Sequence, residues 1–410
     1  MTPKTVIRTG FGISYTPFPD NTWAYNFPVR SNNSYVALTG ADAFGTAQLP
    51  NGMAPTFANG FPAPAPVVVP ANGILKPDPT TAQVEIPLNY RNGYIEAWNF
   101  AVQRELPWKF VIDVAYVGSH GVDTPAAVNL NAGQIIGAMN AGQPFRAKYG
   151  TTASVTQYFQ GFSSTYNSLQ VKFDRRFTSG LIMTTAFTWQ KAMDFQGGDD
   201  GGLDFYAGQG IGRNYARADF DRTLNFIQSY IYRLPFGQGR RFMAHSLAGK
   251  ILGGWQVAGI LSFRTGTPLT FTGNSTLNLG SNGTTTLQQV APIQTLGGIN
   301  VGNPWFTTAS FAGTPNNIQG DTGRAIWSGP SLFALNASLS REILLREGSF
   351  YRMQLRLDTL NATNTAQFSN PNTNRVSNNY GFVTGTLSSG TGVNGTGGGR
   401  VVSCGVKVFF

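Results

Sequence analysis

The chain is 410 residues long, 13% aromatic and only 12% charged, with 50 glycines and 23 prolines; the aromatics exclude a disordered chain, and the Gly/Pro excess favours one large β architecture over two or three soluble domains. Its 29 basic and 19 acidic residues leave a net charge of +10, but the basic residues are scattered, with no block longer than Arg175-Arg176 or Arg240-Arg241, which argues against nucleic acid as a partner. The single cysteine, Cys404, excludes an internal disulfide framework and a cysteine-based zinc site, and no apolar run approaches the ~18 residues of a membrane-spanning helix.

In chain order, apolar residues recur at every second position in ten segments, which is the strand period and not the helical one. Residues 5–16 open the series, with Ile7, Phe11, Ile13 and Tyr15 on one face and Arg8, Gly10, Gly12 and Ser14 on the other. Then come 93–106 (Tyr94, Trp98, Phe100, Val102), 108–118 (Phe110, Ile112, Val114, Tyr116), 166–177 (Leu169, Val171, Phe173) and 180–191 (Leu181, Met183, Phe187, Trp189). The next are 222–234, where Ile227, Gln228 and Ile231 interrupt the alternation, 252–264 (Trp255, Val257, Leu261, Phe263) and 332–343 (Phe333, Leu335, Leu339). Segment 350–361 shows the pattern most clearly, with Tyr351, Met353, Leu355 and Leu357 against Arg352, Gln354, Arg356 and Asp358; 399–410 closes it with Val402, Val406, Val408 and Phe410.

The connections between these segments are 76, 1, 47, 2, 30, 17, 67, 6 and 37 residues long, alternating strictly between long and short. The long ones (17–92, 119–165, 192–221, 265–331, 362–398) are rich in Gly, Pro, Asn, Ser and Thr. An up-and-down antiparallel sheet puts alternate connections on the same edge, so all long loops emerge on one side and all short turns on the other. Transmembrane β-barrels carry this asymmetry, and about 9–11 tilted residues per strand are enough to cross the hydrocarbon core. Tyr15, Tyr116 and Trp189 fall at loop-side ends and Trp108, Phe177, Tyr351 and Phe410 at turn-side ends, where amphipathic rings meet the two interfaces. A closed barrel is also the one sheet that leaves no backbone N–H unpaired in lipid. The expectation is therefore an all-β antiparallel transmembrane barrel, with ten strands visible here and twelve to fourteen if the longest loops hide hairpins. A soluble β-sandwich, propeller or solenoid would share the alternation, but its polar face would meet water and carry many more charges.

Several stretches resemble the C-terminal barrel of TonB-dependent outer-membrane receptors, in particular the Oar-like group. They are Tyr94 to Pro107 (Tyr-Ile-Glu-Ala-Trp-Asn-Phe-Ala-Val-Gln-Arg-Glu-Leu-Pro), Leu234 to Phe242 (Leu-Pro-Phe-Gly-Gln-Gly-Arg-Arg-Phe), Gly253 to Ile260 (Gly-Gly-Trp-Gln-Val-Ala-Gly-Ile), Gly320-Asp321-Thr322-Gly323-Arg324 followed by Gly329-Pro330, and the terminal Phe409-Phe410. The chain departs from the family where Ala325 and the stretch Asp358 to Ala362 replace common Asn and Phe-Asn-Leu-Phe-Asn signatures. The resemblance implies energised uptake of a scarce or bulky ligand: loops capture it, a plug fills the lumen, and the TonB complex displaces the plug. Transporters of this type have about 22 strands. With no plug-like stretch or signal peptide before Thr5, residues 1–410 read as the partial barrel domain, a carboxy-terminal fragment whose plug and TonB contacts belong to a missing N-terminal region. Val406, Val408 and Phe410 resemble the terminal strand signal read by the outer-membrane assembly machinery.

Little in the sequence suggests catalysis. His120 and His245 are the only histidines; Ser119-His120, near an expected loop start, lacks a Gly-x-Ser-x-Gly nucleophile elbow, and two histidines without a cysteine cluster make no transition-metal site. No cofactor is expected. The best ligand candidates are the loop carboxylates Asp199, Asp200 and Asp204, with Asp219 and Asp221 at the far end of the same loop. They suit Ca²⁺ or a cationic or polyhydroxylated ligand, or else ion pairs with Arg213, Arg217 and Arg222; the Asp-x-Asp-x-Asp-Gly spacing of a calcium loop is absent. Trp305 and Trp327, like Trp23, are placed to stack on sugar rings or to pack their loops. On the polar face, Arg8, Lys172, Arg264, Arg352 and Arg356 are expected to pair with Asp113, Asp174 and Asp358 inside the lumen. The expected function is ligand import across the outer membrane with no chemistry of its own, in contact with membrane lipid. Two alternatives remain open, a self-contained passive pore or adhesin barrel and a secreted glycan-binding β protein.

Overall fold

The computed structural model describes residues 4–17, 68–74, 78–178, 180–196, 202–237, 241–243, 246–273, 275–280, 284–344, 351–387 and 398–410. Ten long strands follow one another: β1 (Thr5–Tyr15), β2 (Tyr94–Leu106), β3 (Phe110–Asn129), β4 (Val155–Thr178), β5 (Leu181–Asp194), β6 (Leu224–Arg233), β7 (Trp255–Arg264), β8 (Leu332–Leu344), β9 (Arg352–Leu360) and β10 (Val401–Phe409). Each pairs antiparallel with the strands before and after it, so the sheet runs from β1 to β10 in chain order. Two short strands extend its loop side: Gln83–Glu85 lies parallel to the start of β4, and Ala216–Arg217 antiparallel to the end of β5. No helix among the described residues is long and apolar enough to cross a membrane.

Register makes the two faces continuous. Ile7, Val102, Val114, Val171, Phe187, Phe226, Phe263 and Phe333 stand opposite one another across eight strands. The neighbouring row, one residue along and therefore on the other face, reads Arg8, Ala101, Ala115, Gln170, Thr188, Asn225, Arg264 and Leu332. On the apolar face Phe11, Trp189 and Val406 are 68%, 57% and 66% exposed. An apolar band of this extent is incompatible with water. Rings fill its gaps: an added Cβ on Gly118 would stand 2.5 Å from Trp98 Nε1, and one on Gly259 2.8 Å from the Tyr230 hydroxyl. The glycines are thus seats for aromatic side chains on the adjacent strand. At the turn side the guanidinium of Arg175 lies 5.0 Å above the Phe110 ring and that of Arg341 5.7 Å above Trp255.

One expectation needs correction. Residues 119–165 are not a single long loop, because β3 continues to Asn129 and β4 begins at Val155. Their ladder runs past Gly121 and Ser164 through register shifts at Thr124 and Pro125 to Asn129 and Thr156. Beyond Gly121 the strands leave the apolar band, and loop residues cover them: Ala126 and Phe162 pack with Leu203. The alternation is lost there although the pairing is not. His120 accordingly lies within β3, its Nδ1 3.9 Å from a Glu96 carboxylate oxygen, and not at a loop start.

Candidate functional site

The polar face is recognisable as the inner one because loops close over its upper end. Ser262 and Ala334 are fully buried there, and Leu387, from the connection after β9, packs on Leu332 and Ala334. Below the loops the inner wall carries paired charges: Lys172 with Asp174 at 2.8 Å, Arg356 with Asp358 at 2.7 Å, Arg352 with Glu342 at 3.1 Å and Arg8 with Asp113 at 3.8 Å. These solvent-facing pairs contribute little stability; their effect is a wall that is polar without a large local field. Arg264 differs, having no carboxylate partner among the described residues. Arg222 stands close by and donates to the Thr265 carbonyl at 2.7 Å. Burial, and next the charge of Arg264, hold the Arg222 guanidinium below its ordinary value. Two neighbouring arginines of one sign under the loops favour anions at the mouth.

The loops have a core of their own. Leu269, Phe271, Leu287, Phe306 and Phe311 form a buried cluster, and Trp305, Trp327 and Tyr380 pack against it. Burial pushes the Tyr380 phenol up to about 12. Loop 195–223 is tied to this assembly through Arg213, whose Nη2 donates to the carbonyls of Gly320 and Thr322, both at 2.8 Å. Gln209 Nε2 donates to the Thr284 carbonyl, also at 2.8 Å. The stretch Gly320 to Arg324 is a staple. Asp321 accepts from the Gln289 amide at 2.7 Å, the Thr322 hydroxyl donates to the Leu287 carbonyl at 2.9 Å, and the buried Arg324 forms an ion pair with Asp194 at the end of β5. The loop assembly is therefore clamped to the rim of the sheet.

The structure separates the acidic candidates. Asp221 is fully buried and structural: its carboxylate accepts from the Ala192 amide at 2.9 Å and from Arg217 Nε at 2.9 Å. Asp204 is half-buried and accepts weakly from the Thr284 hydroxyl at 3.4 Å; burial is the main cause raising its carboxyl above the ordinary aspartate value, against the opposing charge of Arg324. Asp219 is exposed, and Asp199 and Asp200 lie outside the described residues, as do His245 and Trp23. Among the described residues no group of three His, Cys, Asp or Glu side chains gathers closely enough to hold a metal ion. Trp305 and Trp327 are half-buried walls of the loop core, and the Trp327 indole donates to the Thr295 hydroxyl at 3.3 Å. Val406 and Val408 stand opposite Leu355 and Met353 on the apolar face, and Phe410 is 95% exposed. Sequence reading did not single out Asp194, Phe271 or Phe306, which set the loop architecture through contacts with distant segments.

A family model described as outer membrane beta barrel domain matches residues 1–402. Among solved structures the chain is similar to the outer membrane transporter YddB from Escherichia coli, at 9% identity and a TM-score of 0.43, over 80% of this chain and 34% of that one. It is similar also to the ferric-catecholate import receptor Fiu from K12 E. coli, at 11% identity and a TM-score of 0.40, over 100% and 34% of the two chains. A third likeness, at 7% identity and a TM-score of 0.38 over 78% and 30%, is to the pyoverdine outer membrane receptor FpvA from Pseudomonas aeruginosa PAO1. The chain spans about a third of the length of these structures. No curated protein sequence matches it.

Proposed function

The chain belongs to the outer membrane beta barrel domain family and resides in the outer membrane, and on that premise we propose that it is the carboxy-terminal part of a TonB-dependent transporter importing a scarce or bulky ligand. The observation that carries this reading is the loop assembly. A passive pore keeps its mouth open, whereas here the described parts of the connections after β5, β7 and β9 are knitted over the inner face and clamped by Arg324 and Asp194. Such a mouth suits capture followed by a driven release. Arg222 and Arg264 lean the choice of ligand toward anions. The plug, the TonB complex and the assembly machinery are the partners of this proposal, and the chain carries out no covalent chemistry.

The test is uptake in cells producing the intact gene product, with a panel of labelled anionic metal chelates, in the presence and absence of an uncoupler. Uptake of at least one chelate that stops when the proton gradient is dissipated is the expected result. Steady ion conductance of this chain alone in planar bilayers, together with uncoupler-insensitive uptake, would replace the transporter with a passive pore.

A further inference from the structure

A groove of about 470 Å³ opens on the apolar, lipid-facing side of β3, β4 and β5, at the end nearest the long loops. Tyr116, Leu169 and Trp189 form its floor and stand in one row across the three strands. The next row toward the loops is Gly118, Asn167 and Lys191. The floor thus belongs to the hydrocarbon side of the interface and the upper wall to the headgroup side, with aromatic rings at the level where they gather in membrane proteins.

The polar wall is rich in donors. The Tyr116 hydroxyl donates to Asn167 Oδ1 at 2.5 Å, which occupies the acceptor half of the amide and leaves its Nδ2 hydrogens without an acceptor among the described residues. Lys191 is exposed and has no carboxylate partner among them. Arg217 also lines the groove but is already committed: Nε to the buried Asp221 at 2.9 Å, Nη1 to the Ser328 hydroxyl at 2.9 Å and Nη2 to the Thr223 hydroxyl at 3.3 Å. The Arg217–Asp221 pair is neutral as a unit, so Lys191 supplies the uncompensated charge. A lysine at the edge of hydrocarbon is stable when its ammonium reaches a polar counter-group.

We propose that this groove binds a phosphate-bearing lipid of the outer leaflet, with acyl chains against Tyr116, Leu169 and Trp189 and the phosphate held by Lys191 Nζ and Asn167 Nδ2. An ammonium beside an amide N–H pair offers donors only, which phosphate oxygens accept. A soluble protein partner does not fit, because the floor lies in the lipid-facing band. The site is independent of whether the barrel transports anything.

The full chain, embedded in nanodiscs of zwitterionic phosphatidylcholine, is loaded with rising fractions of lipid A or of dephosphorylated lipid A, and retained lipid is counted by native mass spectrometry. Lys191→Gln is expected to lower lipid A retention about fivefold, the contribution of one lysine at an anionic lipid surface. Lys191→Arg should keep it, and dephosphorylated lipid A should bind weakly to every variant. Asn167→Leu, which removes the donors and extends the apolar floor, should act in the same direction as Lys191→Gln. Equal lipid A retention by Lys191→Gln and the parent chain would overturn the site. So would equal retention of the dephosphorylated lipid, or displacement of lipid A by millimolar inorganic phosphate, which would mark a site for soluble anions.

Discussion

Phe271 offers the sharpest test of the loop core. Its side chain is fully buried, stacked on Phe311 at 4.2 Å between ring centroids and edge-on to Phe306 at 5.0 Å. Phe271→Ala removes a buried phenyl group at a cost of about 3–5 kcal/mol, of which the two ring contacts account for roughly 1–3 kcal/mol. Neighbouring amides report the loss directly: Thr272 N donates to the Thr373 carbonyl at 3.2 Å, Gly273 N to Thr285 at 3.0 Å and Arg375 N to Thr272 at 3.0 Å. At about 1.4 kcal/mol per tenfold change, local opening should become roughly 10²- to 10⁴-fold more frequent, read as lost hydrogen-exchange protection in the membrane-embedded chain. Amides of β4 and β5 should keep their protection, because their ladder makes no use of this ring. Phe271→Leu, closer in volume, should cost about 1 kcal/mol. A fall of less than tenfold for Phe271→Ala, or an equal fall in the strands, would refute an independent loop core.

Val171 sits midway along the lipid-facing side of β4, between Leu169 and Phe173, and Gln170 points to the other face. Val171→Arg should destabilise the chain in lipid vesicles by about 2–4 kcal/mol, while Gln170→Arg should stay within about 0.5 kcal/mol; urea titrations that reversed this order would invert the two faces. Asp204 gives a pH dependence with a definite sign. Its folded carboxyl lies above the ordinary value of 3.8, so its contribution to loop stability is full below 3.8 and is lost as pH rises through the folded value. Exchange of the Thr284 amide, which donates to the Asp204 carbonyl at 2.9 Å, should therefore be better protected in acid after correction for intrinsic rates. Asp204→Asn should flatten that slope, and an unchanged slope would assign it to another group.

The strands were legible because each separates two solvents. Between Leu169 and Phe173 lipid meets one side and the lumen the other, and the residues alternate accordingly. Where that contrast ends, so does legibility: Ala126 and Phe162 lie in paired strands whose surroundings are loop residues, so the upper halves of β3 and β4 read as loop. Charge pairs within or beside a strand, such as Lys172 with Asp174 or Arg356 with Asp358, also follow from the period. The loop assembly does not. Phe271 meets Phe311 across forty positions, and Arg324 reaches Asp194 across 130; neither leaves a local pattern. The Gly-Asp-Thr-Gly-Arg stretch carries a family resemblance in the sequence, but its work as a staple between loop and rim is a tertiary fact. In the acidic loop Asp221 is held by Arg217 and a backbone amide, the ion pair that the sequence offered beside a ligand role, and which of the arginines would supply it is a tertiary matter.

Because the partners of each of the ten long strands are its neighbours among them in the chain, the girth of this wall is modular. Copying or removing one hairpin would change the circumference while every remaining ladder kept its partner. A lineage could thus widen or narrow such a conduit by tandem duplication alone, and refit the exterior recognition surface afterwards without rewiring what holds it in the bilayer.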